Sequence, residues 1–222
     1  MNPDHVHWPY ITTMDSNGYD GLIVMPRWPT TIYYDCSDAT CTTYEWVQTQ
    51  SGTDSFTDLL DFERTTSTRY LLGLRHDPYM FHQANLRNID VATFTVGPVT
   101  GKLALIQIWV ETVTQEMMRL TNWPMVTKQH DDMARLFVDR MTRDQCSPNL
   151  SYTYSEDGSQ ITGATVTSNA NTCSVPIGVT FPGSATTGGS TTDDVVGSEP
   201  LIKWVTLSGS PVTFTLEKPI AV

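Results

Sequence analysis

Two short apolar runs in the chain each stop abruptly at a cluster of polar residues and proline. Residues 70–74 (YLLGL) are followed at once by Arg75-His76-Asp77, and residues 21–25 (GLIVM) by Pro26-Arg27-Trp28-Pro29. Apolar runs of this length are typical of buried strands in parallel βα proteins. In βα barrels the catalytic groups lie on the loops that follow the strands. The pattern therefore predicts two barrel strands whose following loops form one wall of an active site.

A short strand and two helices are predicted after the Arg75-His76-Asp77 cluster. The strand covers residues 91–96, where apolar and polar residues alternate. One helix covers residues 102–120, and the other runs from a Thr127 cap to about Asp144, because large apolar residues recur in both at helical spacing. The shared faces carry Leu105, Trp109, Val113 and Met117 in the first helix and Met133, Phe137 and Met141 in the second. We expect the Met and Phe stripe to be core.

Beyond Cys146 charged residues become rare, and Ser, Thr, Gly and Val dominate. Strands are predicted over residues 150–155, 160–168 and 174–181, and a hairpin over residues 201–207 and 212–217. Residues 183–197, which are rich in small side chains, are predicted to be a loop. Residues 146–222 are therefore expected to form a small all-β module, most simply a β-sandwich.

The part of the chain before this module is too short for a complete βα barrel. Such a barrel normally takes about 250 residues and eight strands, whereas only a few candidate strands precede Cys146. Residues 1–145 are expected to form part of a (β/α) barrel, so the predicted fold class is α/β followed by all-β. An incomplete barrel predicts that the chain is a fragment of a longer protein.

Composition narrows the classes of function. The chain has 222 residues, of which 39% are hydrophobic and 17% charged, as in globular proteins. A net charge of −11 argues against a nucleic-acid binder, which needs a basic face. No apolar run approaches the ~20 residues that span a bilayer, and the polar N-terminus lacks the basic start of a signal peptide. Few lysines and many Ser, Thr and Gly residues suit a secreted protein.

The four cysteines are expected to be oxidised. Cys36 and Cys41 bracket a tight loop, and Cys146 and Cys173 flank a strand-rich stretch. Four cysteines allow three pairings, of which we expect the two local ones. A zinc site is the alternative, although no Cys-x-x-Cys spacing occurs. Asn149 begins an Asn-Leu-Ser glycosylation sequon, which is consistent with secretion.

Two segments resemble a known family. MPRWPTTIYYD (residues 25–35) and LRHDPYMFHQANLR (residues 74–87) are similar to the catalytic domain of secreted fungal polysaccharide deacetylases of the NodB type, most closely the galactosaminogalactan deacetylase group. The resemblance covers roughly residues 20–145. It implies metal-dependent hydrolysis of N-acetyl groups on an amino-sugar polysaccharide outside the cell or in the cell wall.

The resemblance also implies a cofactor, zinc or a similar divalent metal. Enzymes of this family hold the metal with one Asp and two His, and use a second Asp as base and a His as acid. Such a metal lowers the pKa of bound water and stabilises the oxyanion. The chain has no His-x-x-x-His pair and no Asp-Asp pair after a predicted strand. The metal ligands are therefore expected upstream and none in this chain, which alone is expected to be inactive.

The same resemblance implies roles for the motif residues. His76 is the predicted general acid, against a role limited to ordering its own loop. Arg27 matches the Arg of the family's Arg-x-Pro element, which orients the catalytic aspartate. Asp77 is expected to cap a helix near Pro78 or to orient His76. The residues predicted to contact the substrate are Trp28, Arg75, Asp77 and His82.

Two other classes of function remain open. A non-catalytic carbohydrate-binding or cell-surface protein could combine the β module with a barrel that has lost its activity. A glycoside hydrolase needs two facing carboxylates, whereas the predicted strand ends present Arg and His. A bound metal in the full-length protein would separate a deacetylase from a binding module.

Overall fold

The computed structural model describes residues 5–222, which divide into two compact units. One unit is Met25–Met125, and the other combines the described residues before Met25 with Val126–Val222. Across the described residues, no helix is both long and apolar enough to cross a bilayer.

The secondary structure mixes helices with many short strands. The helices are α1 (Met14–Asn17), α2 (Ala39–Gln50), α3 (Phe56–Leu72), α4 (Leu105–Leu120) and α5 (His130–Gln145). The strands are β1 (Tyr10–Ile11), β2 (Ile23–Val24), β3 (Trp28–Pro29), β4 (Tyr79–Met80), β5 (Phe94–Val96), β6 (Val99–Gly101), β7 (Asn149–Tyr154), β8 (Gln160–Thr167), β9 (Ile177–Phe181), β10 (Ala185–Thr186), β11 (Thr191–Asp194), β12 (Leu201–Val205) and β13 (Val212–Ala221). The class is mixed α/β with several small sheets, and residues 5–222 contain no closed barrel.

Helix α3 contains most of the first run that was predicted to be a barrel strand, so that prediction is wrong. The Ser55 side chain caps the helix by accepting a hydrogen bond from the Asp58 amide, and the helix ends at Gly73. The residues buried on its inner face are Leu59, Leu60, Glu63, Ser67 and Thr68. Because most of these are polar, the helix lacks a clear apolar stripe, and the apolar residues of its last turn resemble a strand.

The second run also differs from its prediction. It contains β2, but this strand is antiparallel to β1, with Tyr10 opposite Val24. The chain turns back between the two strands through α1, which ends at Gly18 in the left-handed conformation, φ 66°. Residues 21–25 are therefore largely one arm of a hairpin, and the Arg27 motif does not follow a barrel strand.

Helix α4 confirms the helix predicted over residues 102–120 and supplies much of the core of the Met25–Met125 unit. Its side chains buried in the main cluster are Leu105, Ile108, Trp109 and Val113. They pack with Leu59 and Leu60 of α3 and Trp46 of α2. Full burial of such a side chain stabilises the fold by about 1.5–3 kcal/mol, so these contacts fix α3 against α4. The strand predicted over residues 91–96 is present as β5.

Besides the β1–β2 hairpin and α1, the other unit holds two antiparallel sheets and α5. The sheets have the strand orders β10-β13-β8-β7 and β11-β12-β9, and the predicted strands after Cys146 are present. Buried side chains from both sheets form one hydrophobic cluster that includes Val166, Val179, Phe181, Val205 and Phe214. Helix α5 confirms the second predicted helix, although it begins at His130 rather than at Thr127, and it buries Phe137 completely.

The predicted hairpin of residues 201–207 and 212–217 is wrong, although both strands exist. Strand β12 pairs with β9 and β11, whereas β13 pairs with β8 and β10. The predicted loop at residues 183–197 contains β10 and β11, which supply one strand to each sheet. The residues between the two predicted arms, 208–211, therefore pass from one sheet to the other, with Leu207 buried in the shared core.

Both predicted disulfides are confirmed. Cys36 bonds to Cys41 with their Cα atoms 5.3 Å apart, and Cys146 bonds to Cys173 with a Cα separation of 5.7 Å. No cysteine is left free, so the alternative of a zinc site built from cysteines is excluded.

Replacing Cys146 and Cys173 together by alanine is expected to lower the free energy of unfolding by roughly 3–4 kcal/mol. The disulfide spans a sequence separation of 27 residues, and the loop-closure contribution grows with the length of the loop. Urea denaturation of the full chain measures the loss. Under dithiothreitol the difference between variant and wild type should disappear; a difference that persists would contradict this origin.

Candidate active site

Strands β3 and β4 bring together the two motifs of the sequence analysis. They are parallel, with Trp28 opposite Tyr79 and Pro29 opposite Met80. The Trp28 amide donates a hydrogen bond to the Pro78 carbonyl oxygen over 2.9 Å. This strand pair, short as it is, sets the relative position of the side chains before and after it.

The predicted site residues fall at two different ends of the strand pair. Arg27, Arg75, His76 and Asp77 precede the strands, whereas His82 follows β4. Ligand sites in parallel βα units lie at the carboxyl ends of the strands. The argument that placed His76 after a buried strand is therefore overturned, since His76 lies between α3 and β4.

A cation–π cluster occupies the first end. The Trp28 and Tyr70 rings lie 3.8 Å apart between centroids, and the Arg75 guanidinium carbon lies 5.0 Å from the Trp28 centroid and 5.2 Å from that of Tyr70. Such contacts stabilise by roughly 0.5–2 kcal/mol. Trp28 and Arg75 thus contact each other and tie the end of α3 to β3. Arg27, beside this cluster in sequence, is exposed.

Two polar residues lie next to this cluster, the buried Asp77 and the half-buried Tyr79. Asp77 is only 8% exposed, and no helix begins near Pro78, so its predicted capping role is wrong. Burial, opposed by a hydrogen bond to Ser67 and assisted by the nearby charges of Glu63 and Asp77, raises the pKa of Tyr79 to about 12. The Tyr79 hydroxyl therefore stays protonated at neutral pH.

The second end of the strand pair carries His82, Tyr34 and Asn85. The His82 side chain is exposed, and its ring lies 5.7 Å from that of Tyr34 in an edge-to-face arrangement at 67°. Asn85 is fully buried. Its Oδ1 accepts a hydrogen bond from the His82 amide over 2.8 Å, and its Nδ2 donates to the carbonyl oxygens of Tyr33 and Cys36, each over 2.9 Å. The Asn85 side chain thus joins the segment that follows β3 to the segment that follows β4.

Glu63 of α3 carries a buried carboxylate next to the residues that follow β3. It is 4% exposed. Its Oε1 accepts hydrogen bonds from the amide and the hydroxyl of Thr31, both over 2.6 Å, and its Oε2 accepts one from Trp109 Nε1 over 2.5 Å. Thr31 lies near the start of the loop between β3 and α2 (residues 30–38), which we call the Tyr34 loop, and Trp109 belongs to α4. Glu63 therefore fixes the start of this loop to the helical core.

Sequence reasoning missed Tyr34, Glu63 and Asn85. Tyr34 and Asn85 lie inside the two segments that carry the family resemblance, so position within these segments was an available signal. Glu63 lies in a stretch that was not predicted to be helical, and nothing local distinguishes it from an exposed glutamate.

The described residues do not provide a complete set of ligands for a divalent metal. Within residues 5–222, no three His, Cys, Asp or Glu side chains come together in a way that could hold a metal ion. The residues present therefore do not fit the cofactor that the family resemblance implies.

Asn149 of the predicted glycosylation sequon lies exposed on β7. Its modification stays a prediction.

Comparison with known proteins gives matches along the whole chain. The profile of the Agd3 deacetylase domain matches residues 1–151, and that of the Agd3 C-terminal domain matches residues 152–220. The chain also matches the crystal structure of Agd3, described as a novel carbohydrate deacetylase, with 52% sequence identity and a TM-score of 0.89. The match covers 100% of this chain and 33% of the solved chain. A comparison with curated proteins gives no match.

Proposed function

Because the chain belongs to the Agd3 deacetylase family, we propose that it takes part in hydrolysing N-acetyl groups on an extracellular amino-sugar polysaccharide. The observation that carries the proposal is the match to a carbohydrate deacetylase at 52% identity over the whole chain. Because the chain spans 33% of that protein's length, we further propose that it works as part of a longer enzyme that supplies zinc or a similar divalent metal.

Amide hydrolysis requires a polarised carbonyl group, an activated water and a proton for the leaving amine. Histidine is the side chain best suited to deliver that proton near neutral pH. Two histidines compete for the role, His76 and His82. His82 is the better placed, because it is exposed and follows β4 at the carboxyl end of the strand pair. A proton on its ring can reach a substrate that lies against the Tyr34 loop.

The other predicted site residues lie at the amino-terminal end of the strand pair, opposite His82. The contacts of Trp28 and Arg75 suit a brace that holds β3 against the end of α3 better than a surface for sugar. Buried Asp77 suits a structural role next to Tyr79. Arg27 remains the candidate for orienting an aspartate of the reaction, since its side chain is exposed.

Three finer points of architecture and location belong to the proposal. The two family domains meet at residues 151 and 152, which supports a domain boundary close to the predicted one between residues 145 and 146. The shared core of the two antiparallel sheets supports a β-sandwich. The two disulfides support secretion, because such bonds persist in oxidising compartments.

Acetate release tests the function directly. A full-length deacetylase that carries these residues is expected to release acetate from an N-acetylated galactosamine polymer when loaded with a divalent metal. Mass spectrometry of the polymer should show a loss of about 42 Da per reacted unit, because hydrolysis replaces an acetyl group by a hydrogen atom. Binding of the polymer without any acetate release would favour the alternative, a carbohydrate-binding module.

A further inference from the structure

Tyr34 presents an exposed aromatic ring on a loop that is otherwise firmly held. Its side chain is 66% exposed, while its neighbours Cys36 and Thr31 are buried. Single exposed aromatic residues are common and carry no argument by themselves.

Buried contacts fix this loop from three sides. Asn85 donates hydrogen bonds to the carbonyl oxygens of Tyr33 and Cys36 on either side of Tyr34 and Asp35. The fully buried Thr42 hydroxyl donates to the Thr31 carbonyl oxygen over 3.1 Å and accepts from the Tyr33 amide over 3.2 Å. The Cys36–Cys41 disulfide ties the loop to α2. A ring on such a loop is already positioned, so a ligand need not order it.

The neighbour of the Tyr34 ring is the proton donor of the proposed reaction. The His82 ring lies edge-to-face with it at 5.7 Å, and the same Asn85 side chain bonds the His82 amide and the carbonyl oxygen of Tyr33, the residue before Tyr34. An edge-to-face contact at this exposure leaves part of the tyrosine face open to solvent. The open face of the Tyr34 ring and the His82 imidazole therefore lie next to each other at the protein surface.

We propose that Tyr34 is the aromatic platform of a saccharide subsite beside His82, an inference that rests on the proposed function. One face of a pyranose ring presents C–H groups, which pack on an aromatic ring, while the hydroxyl groups at its rim stay hydrated or accept hydrogen bonds. A unit stacked on Tyr34 places its neighbour in the polymer next to His82. Tyr34 thus selects a polymer over a single sugar and sets which unit reacts.

The test uses Tyr34→Ala and Tyr34→Phe, with Tyr44→Ala as the matched control. Tyr44 is 60% exposed on α2, so both tyrosines start from similar exposure. Isothermal titration measures the binding of an N-acetylated galactosamine oligomer to the 222-residue chain. We expect Tyr34→Ala to weaken binding about tenfold, the effect of roughly 1.4 kcal/mol. Tyr34→Phe, which keeps the ring, and Tyr44→Ala should both bind as the wild type does.

Kinetics in the full-length deacetylase separate this inference from the function on which it rests. Tyr34→Ala should raise KM for the polymer with kcat unchanged, and leave turnover of a single N-acetylated sugar unaffected. Oligomer binding that depends on Tyr34 without any acetate release would sink the proposed function but keep the subsite. Acetate release with unchanged binding and KM in Tyr34→Ala, or equal losses in Tyr44→Ala, would overturn the subsite.

Discussion

Replacing His82 by alanine in a full-length deacetylase is expected to lower kcat by about 10²–10⁴-fold, the usual contribution of a general acid. His82 follows β4 at the carboxyl end of the strand pair, with its side chain exposed and its amide fixed by Asn85. Its loss removes the proton for the leaving amine but few substrate contacts. KM for the polymer should therefore change little, which steady-state kinetics will show.

The matched variant is His76→Ala. His76 is half-buried in the segment between α3 and β4, at the other end of the strand pair, so its removal is expected to leave kcat close to that of the wild type. His130→Ala serves as the control for general effects, because His130 is an exposed residue at the start of α5. A large loss of kcat in His76→Ala with none in His82→Ala would restore the sequence-based assignment and contradict the argument from strand ends.

An activated substrate separates proton donation from positioning. An N-acetyl anilide with an electron-withdrawing ring releases an amine that needs little protonation as it leaves. If His82 is the acid, the penalty of His82→Ala should shrink on this substrate, whereas a variant that disturbs geometry should lose a similar factor on both. An undiminished penalty would leave His82 with a positioning role only.

The sequence predicts those features of this structure whose contacts join residues that are close together along the chain. Helix α4 could be predicted because Leu105, Trp109 and Val113 repeat at helical spacing and all face one core. The disulfides could be predicted because each pair is local in sequence. These features depend on neighbours along the chain, so pattern alone identifies them.

Helix α3 shows where pattern fails. Its inner face buries the polar residues Glu63, Ser67 and Thr68 where an apolar stripe would be expected, and Glu63 bonds Thr31 and Trp109 from distant segments. Three consecutive apolar residues, Tyr70 to Leu72, form its last turn, where the helix contacts Trp28 through Tyr70. The apolar pattern alone assigns these residues to a strand. The loop after them is then wrongly predicted to be an active-site loop of a barrel.

The candidate site escapes prediction for the same reason. The Asn85 side chain contacts Tyr33 and Cys36 across sequence separations of 52 and 49 residues, and no local signal links them. The resemblance to a family indicated the segments that contain the candidate site, whereas only the parallel pairing of β3 with β4 distinguishes the positions of His82 and His76. Placing a histidine relative to a strand end requires knowing where the strand is.

The Glu63 carboxylate is the group in the Met25–Met125 unit whose removal should cost the most stability. It is almost fully buried and accepts hydrogen bonds from three donors, the Thr31 amide, the Thr31 hydroxyl and Trp109 Nε1. Hydrogen bonds to charged groups contribute about 1.5–3 kcal/mol each, and a buried donor left without a partner costs about 1–3 kcal/mol. Losing all three at once affects α3, α4 and the end of β3 together.

Glu63→Ala is therefore expected to lower the free energy of unfolding by about 3–5 kcal/mol, part of the loss being offset because no charge is then buried. Glu63→Gln should cost less, since its carbonyl oxygen can still accept from Thr31 while only the Trp109 N–H faces another donor. Asp61→Asn is the matched control on the same helix: its side chain is 53% exposed beside Arg64, and surface pairs contribute about 0–1 kcal/mol. Urea denaturation of the full chain measures all three. A Glu63→Ala loss no larger than that of Asp61→Asn would show that the three hydrogen bonds do not hold β3 to the helical core, and the rigidity of the Tyr34 loop would then rest on Asn85, Thr42 and the disulfide.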